Sequence, residues 1–150
     1  MRGAANTSLT DSAARLRLAI VRTARRLRQE AASEATDLTP TSTAALATIE
    51  RHGPLTPSEL AEIERVKRPT VTRTLGCLDR AKLIERTPDP ADGRSALVSV
   101  NAAGRERLRR LRGRKNAYLA RRMRDLPDGD VAALERAAEI LERILESEKG

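Results

Sequence analysis

Three helix starts fall within residues 39–69, and their spacing constrains the fold more tightly than any other feature of the chain. Thr39-Pro40 offers an N-cap hydroxyl followed by proline at the first helical position, where the missing N–H costs nothing. Ala44, Leu46, Ala47 and Ile49 are its apolar positions, and His52-Gly53-Pro54 ends the helix. Thr56-Pro57-Ser58-Glu59 is a complete capping box, again with proline first; the short helix it opens carries Leu60, Ala61 and Ile63 and fades at Val66. After a break at Lys67-Arg68, Pro69 sits where a third helix begins. Short helices joined by turns of this length predict a helix-turn-helix.

The segment that follows changes character. Leu83-Ile84-Glu85-Arg86 and the β-branched, partly alternating Ala96-Leu97-Val98-Ser99-Val100 read as strands. Between them lies Thr87-Pro88-Asp89-Pro90-Ala91-Asp92-Gly93-Arg94, built from residues that favour turns, so the pair predicts a hairpin. A helix-turn-helix followed at once by a hairpin is a winged helix. Asn101 suits the N-cap of the next helix.

Long helical patterns bracket this unit. Ala13, Leu16, Ile20, Ala24, Leu27 and Ala31 share one face of the first. Leu108, Leu111, Tyr118, Leu119, Met123 and Leu126 mark the second, and Val131, Leu134, Ala138, Leu141 and Leu145 the third, with Asp128 or a neighbouring residue as its N-cap and Asp130 in its first turn. Three such stripes are more than one chain of 150 residues covers, so a second copy is expected to cover them in a homodimer. The expected fold class is mainly α (α+β): a winged helix-turn-helix with long N- and C-terminal dimerisation helices. Residues 1–150 are read as a single domain, with 8–37 and 101–150 for dimerisation and 38–100 for DNA binding. One tyrosine, no tryptophan and no phenylalanine leave Leu, Ile, Val and Ala to build the core.

Charge narrows the function. The net charge is +8, and arginine supplies nearly all the positive side. Residues 51–115 hold 16 basic and 8 acidic side chains, against 7 and 5 in residues 1–50 and 6 and 8 in residues 116–150. Arginine grips phosphate as a planar fork, so a polyanion partner is indicated, and the helix-turn-helix makes double-stranded DNA the expected one. One Cys and one His exclude a disulfide framework and a structural zinc site within one chain. No paired carboxylates, metal ligands or activated nucleophile can be assembled, so no enzyme activity, cofactor or metal is expected. The apolar run Leu18-Ala19-Ile20-Val21 is far too short to span a membrane. The Arg- and Ala-rich start superficially resembles a transit peptide, but Asp11 interrupts it and an ordinary amphipathic pattern continues, so the cytoplasm is the expected location.

On the helix from Pro69 to Arg80, Val71, Leu75 and Leu78 face the domain, while Pro69, Arg73, Gly76 and Arg80 lie opposite and Thr70 and Thr72 flank them. A helix entering the major groove presents its N-terminal residues to base edges, which assigns Pro69, Thr70, Thr72 and Arg73 to base reading. Lys67, Arg68 and the free N–H groups of the first turn suit phosphates. Arg94, beside the hairpin tip, suits a narrow minor groove, and Asp92 has a structural task in the loop. Cys77 reads as a packing residue rather than a redox switch, and His52 as a surface cation. Tyr118 reads as packing. The arginines between Arg105 and Arg114 surround their helix, some flanking DNA and others pairing with acids of the last helix.

The run from Val66-Lys67-Arg68-Pro69-Thr70-Val71-Thr72-Arg73 through Leu83-Ile84-Glu85-Arg86 to Asp89-Pro90-Ala91-Asp92-Gly93-Arg94 resembles the MarR family of bacterial transcription regulators. Asp92 and Arg94 match its Asp-x-Arg wing signature, and the bracketing helices extend the likeness over nearly the whole chain. The resemblance implies an obligate homodimer with two winged helices on a pseudo-palindromic operator, mostly acting as a repressor. It also implies release by a small, often phenolic, anion or by an oxidant, although no local motif marks an effector-binding residue. Gly76 and Cys77 stand where the family often has an acidic and then a basic residue, and Gly93 where arginine is common. The alternative from another class is a sequence-tolerant architectural DNA-binding protein on the same fold.

Overall fold

Each of the three proline-marked helices forms, in a computed structural model that describes residues 2–32 and 37–147. The order is α1 (Arg2–Ala31), α2 (Pro40–His52), α3 (Pro57–Glu64), α4 (Arg68–Arg80), β1 (Ile84–Pro88), β2 (Ala96–Val100), α5 (Ala102–Met123) and α6 (Asp128–Glu146). The chain divides into two compact units, residues 1–115 and 116–150. Residues 33–36 of the expected first segment lie outside the described residues.

The caps act as their chemistry requires. The Thr39 hydroxyl accepts from the Ser42 N–H at 3.1 Å. Thr56 and Glu59 satisfy one another's backbone, Glu59 N–H donating to Thr56 Oγ1 at 3.2 Å and Thr56 N–H to Glu59 Oε2 at 2.7 Å. Arg65, at φ 52°, ends α3 in the left-handed region. Asn101 caps α5 by accepting from the Gly104 N–H, while its amide donates to the Lys82 carbonyl, tying the helix start to the end of the α4–β1 turn.

Two boundaries shift from the sequence reading. Helix α4 begins at Arg68, because Thr70 and Val71 N–H already donate to the Lys67 carbonyl; Lys67 is its N-cap and Pro69 lies inside the first turn. Helix α6 begins at Asp128 rather than being capped by it. Pro127 is the N-cap, its carbonyl accepting from Asp130 and Val131, so Asp128 and Asp130 both sit in the first turn near the positive end of the helix dipole.

The buried hydrophobic residues of the first unit are all aliphatic, including Leu46, Ile49, Leu60, Leu75, Leu78 and Val98. On α2 the buried residues are Ser42, Ala45, Leu46 and Ile49, while Ala44 is exposed and Ala47 half-buried. Strands β1 and β2 pair antiparallel, Ile84 opposite Val100 and Arg86 opposite Val98. Leu55, just before the α3 capping box, adds a bridge that sequence periodicity does not show: it exchanges two backbone hydrogen bonds with Val98, at 2.8 and 3.1 Å. The second unit contains the end of α5 and α6. No residue of α6 is buried, and Tyr118 is half-buried with the Arg122 guanidinium 5.4 Å from its ring centroid.

Gly104 is where α5 meets the sheet most closely. A Cβ there would stand 2.3 Å from the Leu83 carbonyl oxygen and 2.6 Å from Val100 Cγ1. Gly104→Ala is therefore expected to destabilise the protein by about 1–3 kcal/mol through overpacking, read as a lower midpoint in urea unfolding. An unchanged midpoint would show that α5 can retreat without cost.

Candidate nucleic-acid interface

Helix α4 divides cleanly into an inner and an outer side. Val71 (2% exposed), Leu75 (1%) and Leu78 (0%) pack into the core, and Thr74 is buried with them. Pro69, Thr70, Thr72, Arg73, Asp79 and Arg80 are exposed. The residues expected to read bases thus lie together on the solvent side of the helix, with Lys67 and Arg68 at its start. Arg68 is already engaged: its Nη2 donates to Ser58 Oγ at 3.0 Å, linking the start of α4 to the first turn of α3. Its backbone carbonyl accepts from Thr72 Oγ1 at 3.1 Å, so that hydroxyl is turned back to the helix and offers its remaining lone pairs outward. The helix start is poorer in free donors than expected. Pro69 has no N–H, and those of Thr70 and Val71 are taken by Lys67, leaving only Arg68's own for an anion.

The wing presents the second charged element. Its loop is folded by its own carboxylates: Asp92 Oδ1 accepts from the Arg94 N–H at 3.0 Å, and Asp89 Oδ1 from Ala91 N–H at 2.9 Å. The Ser95 N–H donates to the Asp92 carbonyl, closing the turn around Gly93. Arg94 is left exposed at this turn. Lys67, Arg73 and Arg94 have no side-chain hydrogen bond or ion pair among the described residues.

Other arginines have partners within the first unit. Arg86 on β1 meets Asp79 on α4 through two nitrogens, Nη2 at 2.7 Å and Nε at 3.2 Å from the same carboxylate oxygen, so the wing is tied to the outer side of α4. Sequence reasoning missed this pair, whose members are seven residues apart on different elements. On α5, Arg107 pairs with Asp37 at 3.1 Å, Arg112 with Glu50 at 2.6 Å and Arg109 with Glu106 at 2.8 Å. The hydrogen bond from Arg109 lowers the pKa of the Glu106 carboxyl below its ordinary value and raises that of Arg109. Arg105 donates to the Val100 carbonyl at 2.7 Å.

Cys77 is half-buried against the core with its Sγ 3.5 Å from the Asp37 carbonyl, the environment of a packing residue. His52 is exposed at the end of α2. A cavity of about 280 Å³ opens between the end of α1, α2 and α5, floored by Ala31, Leu38, Ala47 and Leu108, with Arg28 and Lys115 also lining it. Among the described residues no group of three or more His, Cys, Asp or Glu could hold a metal ion, and no helix is long and apolar enough to cross a membrane.

Known proteins share this arrangement. The MarR family model matches residues 38–96, from the start of α2 into β2. An HTH-type transcriptional regulator of Mycobacterium tuberculosis is 36% identical over 137 residues, covering 89% of this chain and 94% of its own. A solved Pseudomonas aeruginosa protein described as a candidate transcriptional regulator is 33% identical, with a TM-score of 0.79 and coverage of 91% and 95%. Streptococcus pneumoniae FabT, solved in complex with DNA, is 19% identical with a TM-score of 0.67 and coverage of 91% and 97%, a likeness of fold. The chain belongs to the MarR family of helix-turn-helix transcriptional regulators, which are DNA-binding proteins.

Proposed function

We propose that the protein is a homodimeric, sequence-specific repressor that binds a pseudo-palindromic operator in the cytoplasm and is released by a small-molecule effector. The observation that carries this reading is the contrast among cations. Arg86, Arg107, Arg109 and Arg112 are bonded to acids of the protein, whereas Lys67, Arg73 and Arg94, at the start of α4 and on the wing, have no side-chain partner among the described residues. Pro69, Thr70, Thr72 and Arg73 read the major groove, Arg94 the minor groove, and Lys67 with Arg68 the phosphates. Asp92 is structural, holding the turn that presents Arg94. FabT, with the same fold, supports this reading by its solved DNA complex.

The dimer rests on uncovered apolar surface in both units. On α1, Leu16, Ile20 and Val21 are exposed; on α6, Leu134, Ile140, Ile144 and Leu145 are. A second copy is the occupant that buries like surfaces by symmetry and doubles the DNA-reading element for an inverted repeat. The aliphatic, cation-lined cavity is the proposed effector seat. Its lining contains no aromatic residue, so the effector is held by aliphatic contact and by cations rather than by ring stacking.

Arg73→Ala is expected to weaken binding to the operator by about 1–3 kcal/mol while leaving scrambled duplex nearly unaffected, measured by fluorescence anisotropy titration. Equal affinity of the parent for operator and scrambled DNA would instead favour the architectural reading. Phosphate contacts from Lys67 and Arg68 of two protomers predict a slope of log K against log salt of about −3.6 or steeper; a flat dependence would remove the electrostatic basis. Sedimentation should find a dimer for the parent and a monomer for Ile144→Glu, and a monomeric parent would overturn the assembly.

A further inference from the structure

We propose that Gly76 is a specificity-determining residue of the DNA interface: its missing side chain lets the backbone of α4 approach the floor or wall of the major groove. The inference rests on the reading of α4 as the groove-entering helix. Glycine is the least favourable residue in a helix interior apart from proline, and Gly76 lies in the middle of α4. Nothing among the described residues calls for it. No glycine among the described residues has a positive φ, so backbone conformation does not require it. A Cβ added at Gly76 would meet only Arg80 Nη1, at 3.7 Å, which is ordinary van der Waals contact with the far end of a flexible side chain. At Gly104, by contrast, an added Cβ collides with the Leu83 backbone.

Its position supplies the missing reason. At about 100° per residue, the buried Val71, Thr74, Leu75 and Leu78 centre on one side of α4, and Gly76 falls roughly 30° from the direction directly opposite. It therefore continues the outward row of Pro69 and Arg73, one turn beyond Thr72 and Arg73 and one turn before Arg80. A side chain there would stand between the helix axis and any surface docked on that row. Its absence leaves bare backbone, over which the Arg80 guanidinium lies in the free protein. A duplex groove is the partner this row of prolyl, threonyl and guanidinium groups fits, and closer approach of the helix brings the base-reading Thr72 and Arg73 within direct hydrogen-bond reach of base edges.

The test compares the full-length parent with Gly76→Ala in thermal unfolding and in titrations against operator and scrambled duplexes at one salt concentration. The expected variant melts about 2–4 °C higher, as removal of a helical glycine implies for a chain of this size. It also binds operator at least tenfold more weakly, with scrambled DNA within twofold because that binding is electrostatic. Gly76→Ser should weaken operator binding in the same way. A variant that binds operator as tightly as the parent overturns the inference alone. So does one that melts lower, because the glycine then serves the fold. A parent that fails to distinguish operator from scrambled DNA overturns the sequence-specific reading and this inference with it.

Discussion

The burial of one side of α4 governs the rest of the molecule. Val71, Leu75 and Leu78 are locked among aliphatic side chains of α2, α3 and the sheet, at exposures of 2% or less. Each such side chain contributes on the order of 1.5–3 kcal/mol when fully removed from water. The outcome is orientational as well as energetic: once those three face inward, the row from Pro69 through Arg73 and Gly76 to Arg80 must face outward. A helix rotated by one residue would expose Leu75 and bury Arg73, which neither the aliphatic core nor the charge would tolerate. The proposed reading surface is thus a by-product of how the core is filled.

The wing inherits its placement from the same unit. On one edge, Leu55 and Val98 exchange backbone hydrogen bonds, fixing β2 to the segment that leads into α3. On the other, Arg86 grips Asp79 on α4. Half-exposed ion pairs are usually worth little, at most about 1 kcal/mol, so this contact matters for alignment more than for stability. Beyond Pro88 the loop is held mainly by Asp89 and Asp92 bonding their own backbone. Arg94 therefore projects from a small self-folded turn whose base is fixed on two sides.

Local chemistry was legible in the sequence because it acts over three or four residues. Thr39, the Thr56–Glu59 box and Asn101 behave as their types and spacings require. The inner face of α4, the hairpin and the aliphatic core could likewise be read from periodicity and composition. What escaped were contacts between distant elements, where sequence spacing carries no signal: the Leu55 bridge, Arg86 with Asp79, and Arg107 with Asp37 across seventy residues. The cap of α6 falls on Pro127, next to Asp128, because proline without a capping side chain still supplies the first helical carbonyl. The residues expected to read DNA share the outer side of α4 because periodicity sets that side, but the engagement of Arg68 with Ser58 and the scarcity of free N–H groups at the start of α4 depend on contacts that spacing does not encode.

Symmetry joins these pieces into one claim: two copies of an outward-facing α4 and wing read an inverted repeat. Helix-turn-helix dimers place their half-sites about 34–36 Å apart, one helical turn or a multiple of it. The most direct measurement is selection of bound duplexes from a random DNA pool by the full-length protein, followed by sequencing. Two symmetric reading heads should enrich an inverted repeat whose half-site centres are about 10–10.5 base pairs, or a multiple, apart. Recovery of sequences with no shared motif, or of a single unrepeated half-site, would contradict it.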